Sequence, residues 1–299
     1  MVIQDAIALT FSRSMQKAKT SATIFTAIAT LCIGCSSGSE HHDQPVKQET
    51  NGWNTERSVT KEVENFTFQF PAEGFAYEHR DSLVDVCMSA IQRNMELLKV
   101  DTFSVPYVIR LYPSKAAMKK VTGIGVSGQA DYAKKSVGLV VTNDPEVMKK
   151  ENIVTPPIQH ETMHMLAMET WGYPPESNLW LNEGLATYAT NTCNGLTVRE
   201  VNSYLLNNKM TFPGDSLVEH FYQCDEMIAY HQAACYVQYL MEHYGVEKFG
   251  ALWQAGMSDF EMIYGMPFKE LEALVAAEVA EAYPNGVEID WETFKKGCK

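Results

Sequence analysis

Residues 158–166 read IQHETMHML, which places two histidines four positions apart with a glutamate directly after the first. On an α-helix, His160 and His164 project from the same face about one turn apart, so both imidazoles can reach one metal ion. Glu161 then lies beside that ion. The apolar residues of this stretch would equally suit an ordinary amphipathic helix, so a third ligand must decide between the two interpretations.

A second motif supplies a candidate for the third ligand. Eighteen residues separate His164 from Glu183, which lies within NLWLNEGLATYATN at 178–191. The apolar residues around Glu183 predict a buried helix, and a buried carboxylate needs a cation beside it. Two imidazoles, one carboxylate and an open fourth position are a ligand set of catalytic zinc. Glu183 is therefore a candidate third ligand beside His160 and His164.

Together these segments resemble a known family. HETMH, the 18-residue gap and WLNEGLATY are similar to the gluzincin metallopeptidases, in particular the branch that contains the membrane alanyl aminopeptidases and leukotriene A4 hydrolase. The resemblance implies a zincin-like fold and one zinc ion held by His160, His164 and Glu183. It further implies zinc-dependent hydrolysis of peptide bonds, with Glu161 as the general base. It also implies that Tyr230, in YHQAACYVQYL at 230–240, stabilises the oxyanion. The alternative for Tyr230 is a core aromatic residue at helical spacing.

One segment departs from the aminopeptidases. They carry a GxMEN segment whose glutamate captures the free amine of the substrate, whereas GQADYAKKSVGLVVTND at 128–144 contains no glutamate. We therefore interpret the strand around Gly138, Leu139 and Val140 as a sheet edge that pairs with an extended peptide or protein substrate. Whether attack is at a chain end or within the chain stays open.

Two further hypotheses for function remain. A non-catalytic, zinc-stabilised binding lipoprotein would keep the metal site without turnover, although such a protein has no need of the base Glu161. The same scaffold would also serve to hydrolyse a different bond, such as an ester or an epoxide.

The patterning of the chain predicts an α+β domain over 59–299. A small mixed or antiparallel sheet would occupy about 59–154, and a mainly helical half about 155–299. Alternating apolar residues predict strands at 63–71, 107–114 and 135–143, with a long helix at 78–100 and a short helix and glycine-rich turn before the last strand. Helical periodicity then predicts helices at roughly 156–170, 178–192, 197–208, 226–244, 246–254 and 267–282.

The N-terminal region predicts export. Three basic residues precede an uncharged run at 21–34 that ends in Gly34 and is followed by Cys35, an arrangement that resembles a bacterial lipoprotein signal. Residues 1–34 would then be the signal peptide, Cys35 the lipidated residue and 35–58 a flexible tether. This predicts attachment to the cell envelope, at the outer membrane or the cell surface. A cleaved signal with a free Cys35, or a plain membrane anchor, is the alternative.

Composition narrows the class of protein further. The chain has 299 residues, 45% of them apolar, and a net charge of −13, which fits a globular core and argues against a nucleic-acid partner. Oligomeric state is not predicted. The cysteines beyond the signal form no CxxC pair, so a cysteine zinc site is not expected, and a Cys193 to Cys224 bridge is one open option. These cysteines are Cys87, Cys193, Cys224, Cys235 and Cys298.

Several conspicuous residues receive structural interpretations. We expect His220, His231 and His243 to be surface or hydrogen-bonded core residues, and His231 is the strongest exception because it adjoins Tyr230. The segment 286–299 is interpreted as a solvated tail or a docking strip, with Trp291 and Phe294 as its anchors.

Overall fold

The computed structural model describes residues 58–153 and 155–298. The predicted signal peptide, the lipidated Cys35 and nearly all of the predicted tether lie outside these residues. Among the residues described, no helix combines the length and the apolar character needed to cross a membrane. The architecture is α+β, as predicted, with a small mixed sheet followed by helices.

Five strands form the sheet, in the spatial order β1-β2-β3-β5-β4. Strands β1 and β2 form an antiparallel hairpin, β2–β3 and β3–β5 are parallel pairs, and β4 runs antiparallel to β5. In chain order the elements are β1 (Val59–Val63), β2 (Phe66–Phe70), α1 (Phe75–Glu78), α2 (Arg80–Leu98), β3 (Tyr107–Tyr112), α3 (Lys115–Thr122), β4 (Gly128–Asp131), β5 (Ser136–Val140) and α4 (Pro145–Glu151).

The strand predicted at 63–71 is present as β2, and the chain reverses just before it at Glu64, whose φ is 53°, so that β1, which was not predicted, pairs with it. The expectation of a sheet edge further along the chain was wrong. The strand that contains Gly138, Leu139 and Val140 is not an edge, since it pairs with β3 on one side and β4 on the other. Its backbone is therefore committed within the sheet, and its side chains are buried. The edge on this side of the sheet is β4, which begins in the segment predicted as a glycine-rich turn.

The helical half agrees closely with the periodicity of the sequence. Each of the six helices predicted after residue 155 is present, with its ends within two residues of the predicted bounds. The elements are α5 (Ile158–Trp171), α6 (Leu179–Thr190), the hairpin β6 (Thr192–Cys193) and β7 (Leu196–Thr197), α7 (Val198–Asn207), α8 (Gly214–Glu219), α9 (Glu226–Tyr244), α10 (Val246–Ala255), α11 (Phe260–Tyr264), α12 (Phe268–Ala282) and α13 (Trp291–Phe294).

Helix α5 contacts both the sheet and the helical half of the protein. It packs against α2, against α6 and against strands β4 and β5, and its residues 161–168 are all buried. Helix α6 in turn packs against α9 at very short range, because a β-carbon at Gly184 would lie 2.9 Å from the backbone carbonyl of Ala233. The absence of a side chain at Gly184 thus fixes how deeply α6, which carries Glu183, sits against its neighbour.

A disulfide ties the end of the described chain to the hairpin after α6. Cys193 pairs with Cys298, so the possible bridge to Cys224 is not formed. The terminal segment is not a solvated tail or a docking strip, because Phe294 is 3% exposed and packs in a small core. Trp291 stacks on Tyr204 at a ring distance of 5.8 Å. Trp291 and Phe294, which were predicted to contact a partner, therefore pack against other residues of the same chain.

We expect Asn94→Ala to lower the free energy of unfolding by about 1–3 kcal/mol, the usual cost of losing buried hydrogen bonds. The Asn94 side chain is fully buried on α2, and its Nδ2 donates to the carbonyl oxygen of Gln159 at 2.9 Å and to Thr162 Oγ1 at 3.0 Å. Urea denaturation checks the value. Gln92→Ala, at an exposed position of the same helix, serves as the control and should change stability by less than about 0.5 kcal/mol. Equal losses in both variants would contradict the role of Asn94.

Candidate metal centre

The structure brings the three predicted metal ligands together. Their nearest ligand atoms all lie within 4.8 Å of one another. The Nε2 atoms of His160 and His164 are 3.1 Å apart, and Glu183 Oε2 lies 3.4 Å from each of them. Helix α5 supplies both imidazoles and α6 supplies the carboxylate. This buried His/His/Glu group could hold a metal ion.

The two carboxylate oxygens of Glu183 have different partners. Tyr222 donates a hydrogen bond to Oε1 at 3.0 Å, which leaves Oε2 directed at the two imidazoles. Burial opposes the charge of Glu183, but the histidines outweigh burial and hold the pKa of the carboxyl group far below its usual range. Glu183 is therefore anionic in the folded protein.

His164 is held in one orientation by a residue that the sequence did not single out. Its Nδ1 lies 2.8 Å from Asn182 Oδ1, and because an amide oxygen only accepts, Nδ1 carries the proton and Nε2 faces the cluster. Burial alone would lower the pKa of His164, whereas the Glu183 carboxylate more than reverses this effect and raises the pKa to about 9. Such a hydrogen bond to the far nitrogen is typical of metal-binding histidines.

Glu161 lies under the edge strand of the sheet. The backbone N–H of Ala130 in β4 donates to its carboxylate. Burial raises the pKa of Glu161, partly opposed by His160 and His164. The strand approaches so closely that a β-carbon at Gly128 would lie 2.6 Å from Glu161 Oε1 and 2.5 Å from Pro157 Cγ. Only glycine fits at position 128 without displacing the strand or the carboxylate.

Tyr230 lies beside the cluster on α9. Its ring stacks on His160 at a centroid distance of 6.3 Å and on Phe221 at 5.3 Å. Burial and the nearby Glu183 carboxylate raise the pKa of Tyr230 well above its usual value, so its hydroxyl is protonated. The position agrees with the role that the family resemblance implies, and that role stays a prediction.

Other candidate residues lie apart from this centre. His220 is exposed, and His243 pairs with Glu278 at 2.7 Å. His231 is buried on α9, and one of its ring nitrogens lies within 4.8 Å of the sulfurs of Cys193 and Cys298. Burial lowers the pKa of His231 to about 4, so it is neutral near pH 7.

Sequence reasoning missed Asn182, Tyr222 and the strand at Gly128. Asn182 had a usable signal, because it is a polar residue next to Glu183 in a helix predicted to be buried. Tyr222 lies in a 3₁₀ turn at Phe221–Gln223, far from both motifs in sequence, and nothing local distinguishes it from the other tyrosines.

Comparison with known proteins identifies no family for this chain. No model of a known protein family matches the chain, and no curated protein matches it either.

Proposed function

We propose that the protein is a zinc-dependent peptidase of the gluzincin type, with a zincin-like fold. The observation that carries this proposal is the convergence of His160, His164 and Glu183 on one point, with Glu161 on the same helix turn. Two imidazole nitrogens and one carboxylate oxygen are a ligand set that suits zinc, whereas calcium and magnesium prefer sets made up of oxygen atoms.

The side chains around the ligands divide the remaining work. Zinc, when bound, supplies a Lewis acid that polarises the scissile carbonyl and acidifies a water molecule. Glu161 takes a proton from the attacking water and delivers it to the leaving amine. The Tyr230 hydroxyl donates a hydrogen bond to the developing oxyanion, an interaction whose loss typically costs about 3–4 kcal/mol. Asn182 and Tyr222 hold His164 and Glu183 in place.

We infer that an extended peptide substrate pairs with β4. The N–H of Ala130 points at Glu161 rather than into the β5 ladder, and backbone groups two residues apart in a strand face the same way. Gly128 and Ala130 therefore present their backbone towards the metal centre. Adding a strand at this edge would lay a substrate carbonyl near Glu161.

We expect Gly128→Ala to lower kcat/KM for peptides by about tenfold to a hundredfold. The new methyl group would push β4 away from Glu161, and small misplacements of a substrate cost rates of this order. Steady-state kinetics against a fluorogenic peptide measures the loss, and metal content should stay unchanged. Ser127→Ala, one residue earlier, is the control. Unchanged kinetics in Gly128→Ala would contradict substrate docking at this edge.

Treatment with a chelator, combined with a substrate screen, distinguishes the peptidase from the two other functional hypotheses. Screening the purified protein against mixed peptides with mass-spectrometric detection should show cleavage that stops with a chelator and returns with zinc. A zinc-stabilised binding lipoprotein would hold zinc but cleave nothing. Cleavage confined to esters or epoxides would favour the third hypothesis.

We further propose that the protein is an exported lipoprotein of the cell envelope, attached through Cys35. The support is the sequence of 21–35 alone. Cys35→Ser should abolish incorporation of radiolabelled palmitate and release the protein from the membrane fraction, and unchanged labelling would refute the anchor.

A further inference from the structure

A second group of metal-binding side chains includes His231 of α9, the residue directly after Tyr230. It comprises Cys193 in β6, His231 in α9 and Cys298 after α13, and the nearest ligand atoms of the three lie within 4.8 Å of one another. Cys193 is 3% and His231 4% exposed. None of these residues belongs to the His/His/Glu group, and in this structure the two sulfurs form a disulfide.

His231 is held as a metal-binding histidine is held. Its Nδ1 lies 2.7 Å from the carbonyl oxygen of Met227, and because a carbonyl only accepts, Nδ1 carries the proton. The lone pair therefore resides on Nε2. Phe294 packs against the ring at 5.3 Å, and Asn202 donates to the His231 carbonyl at 2.6 Å. A donor hydrogen bond from the far nitrogen to a backbone carbonyl is a common support for zinc-bound histidines.

The disulfide is the oxidised form of two potential ligands. A dithiol reductant supplies two electrons and two protons, becomes a disulfide itself and leaves Cys193 and Cys298 as thiols. Zinc then binds the two thiolates and releases both protons to solvent, while the imidazole contributes a neutral nitrogen. Two sulfurs and one nitrogen with an open fourth position form a recognised zinc set.

We propose that reduction of the Cys193–Cys298 disulfide creates a second zinc site, with Cys193, Cys298 and His231 as its ligands. The bridge and the zinc site exclude each other, since each uses the same sulfur atoms. Thiolates on one tetrahedral zinc lie about 3.8 Å apart, given zinc–sulfur bonds of about 2.3 Å. Cys298 lies in an irregular segment after α13 and is half-buried, so it can move the small distance required. This revises the expectation that no cysteine takes part in zinc binding.

Cobalt titration of the full-length protein tests the proposal. Co²⁺ replaces zinc and shows a near-ultraviolet charge-transfer absorption only when thiolates bind it, so the His/His/Glu group is silent in this signal. Protein reduced with a phosphine and then desalted should take up one more Co²⁺ equivalent than oxidised protein and show the absorption. Oxidised protein should not show it. Absence of the absorption after reduction would overturn the proposal.

Variants identify the ligands. In reduced protein, Cys298→Ser should abolish the absorption, and His231→Gln should weaken cobalt binding by at least the tenfold to hundredfold that changes around a metal usually cost. Cys235→Ala, a buried cysteine on the same helix outside the cluster, is the matched control and should retain the signal. An absorption that survives in Cys298→Ser, or a His231→Gln protein with normal affinity, would refute this ligand set.

The second site is independent of the proposed peptidase activity. A His160→Ala/His164→Ala double variant should lose the metal of the first centre and keep the reduction-dependent absorption. Loss of peptidase activity with retention of the cobalt signal, or the reverse, therefore shows which of the two proposals has failed.

Discussion

Glu161→Gln is expected to lower kcat/KM for peptide hydrolysis by about 10²–10⁴-fold, the usual contribution of general acid–base catalysis. The amide has the shape of the carboxyl group but cannot accept a proton from water. Its carbonyl oxygen can still accept the hydrogen bond from the Ala130 N–H, so β4 should keep its place over α5. Zinc affinity should be unchanged, because Glu161 is not among the three converging ligands.

Three measurements together test the Glu161 prediction. Kinetics give the loss of rate, elemental analysis gives zinc per chain, and circular dichroism reports folding. Glu261→Gln, which makes the same chemical change at an exposed position of α11, is the control and should keep full activity. A folded, zinc-loaded Glu161→Gln protein with wild-type rates would eliminate the proposed mechanism, whereas a loss of zinc would show that Glu161 supports the metal instead.

The helical half of the fold was predictable because its signal is local. In α9 and α12, apolar residues recur at helical spacing along the chain, and the core that they face does not have to be known. The sheet was harder for a physical reason. Strand β4 reads GQAD, is half-buried throughout and shows no alternation of exposed and buried residues. Its strand conformation depends on the ladder to β5, which lies later in the chain.

The residues of the metal centre also fall into two groups, those that local sequence patterns predict and those that only tertiary packing brings together. His160 and His164 were predictable because their spacing alone sets their relative position on a helix. Glu183 followed from a second local motif. Tyr222 reaches Glu183 only because the 3₁₀ turn at Phe221–Gln223 lies against α6, and Cys298 reaches Cys193 across 105 residues of chain. Contacts of this kind are set by tertiary packing, which a single sequence does not encode in any short pattern.

The position of β4 also changes how the missing glutamate of the aminopeptidase motif is interpreted. The segment that lacks it is not distant from the chemistry but contains the edge strand, and the backbone N–H of Ala130 contacts Glu161 directly. Substrate recognition at this edge would therefore use backbone groups, which do not discriminate between side chains. We accordingly expect cleavage within extended segments, without dependence on a free amino terminus.

Glu183→Gln should weaken zinc binding by about a hundredfold or more, since even residues behind the ligands contribute tenfold to a hundredfold. The substitution keeps the size of the side chain and leaves an oxygen for Tyr222 to donate to. It removes the negative charge that Oε2 directs at His160 and His164 from 3.4 Å. In a buried site this charge balances part of the charge of the cation, and an amide cannot replace it.

Competition with a chromophoric chelator measures the affinity, and Glu261→Gln again controls for the chemical change. Tyr222→Phe should give a smaller loss, about tenfold to a hundredfold, because Glu183 keeps its charge but loses the hydrogen bond that orients Oε1. The order of the two variants is the decisive result. If Glu183→Gln bound zinc as tightly as the wild type, the carboxylate would be a partner of the histidines and not a ligand. If both variants lost zinc equally, orientation of the carboxylate would matter as much as its charge.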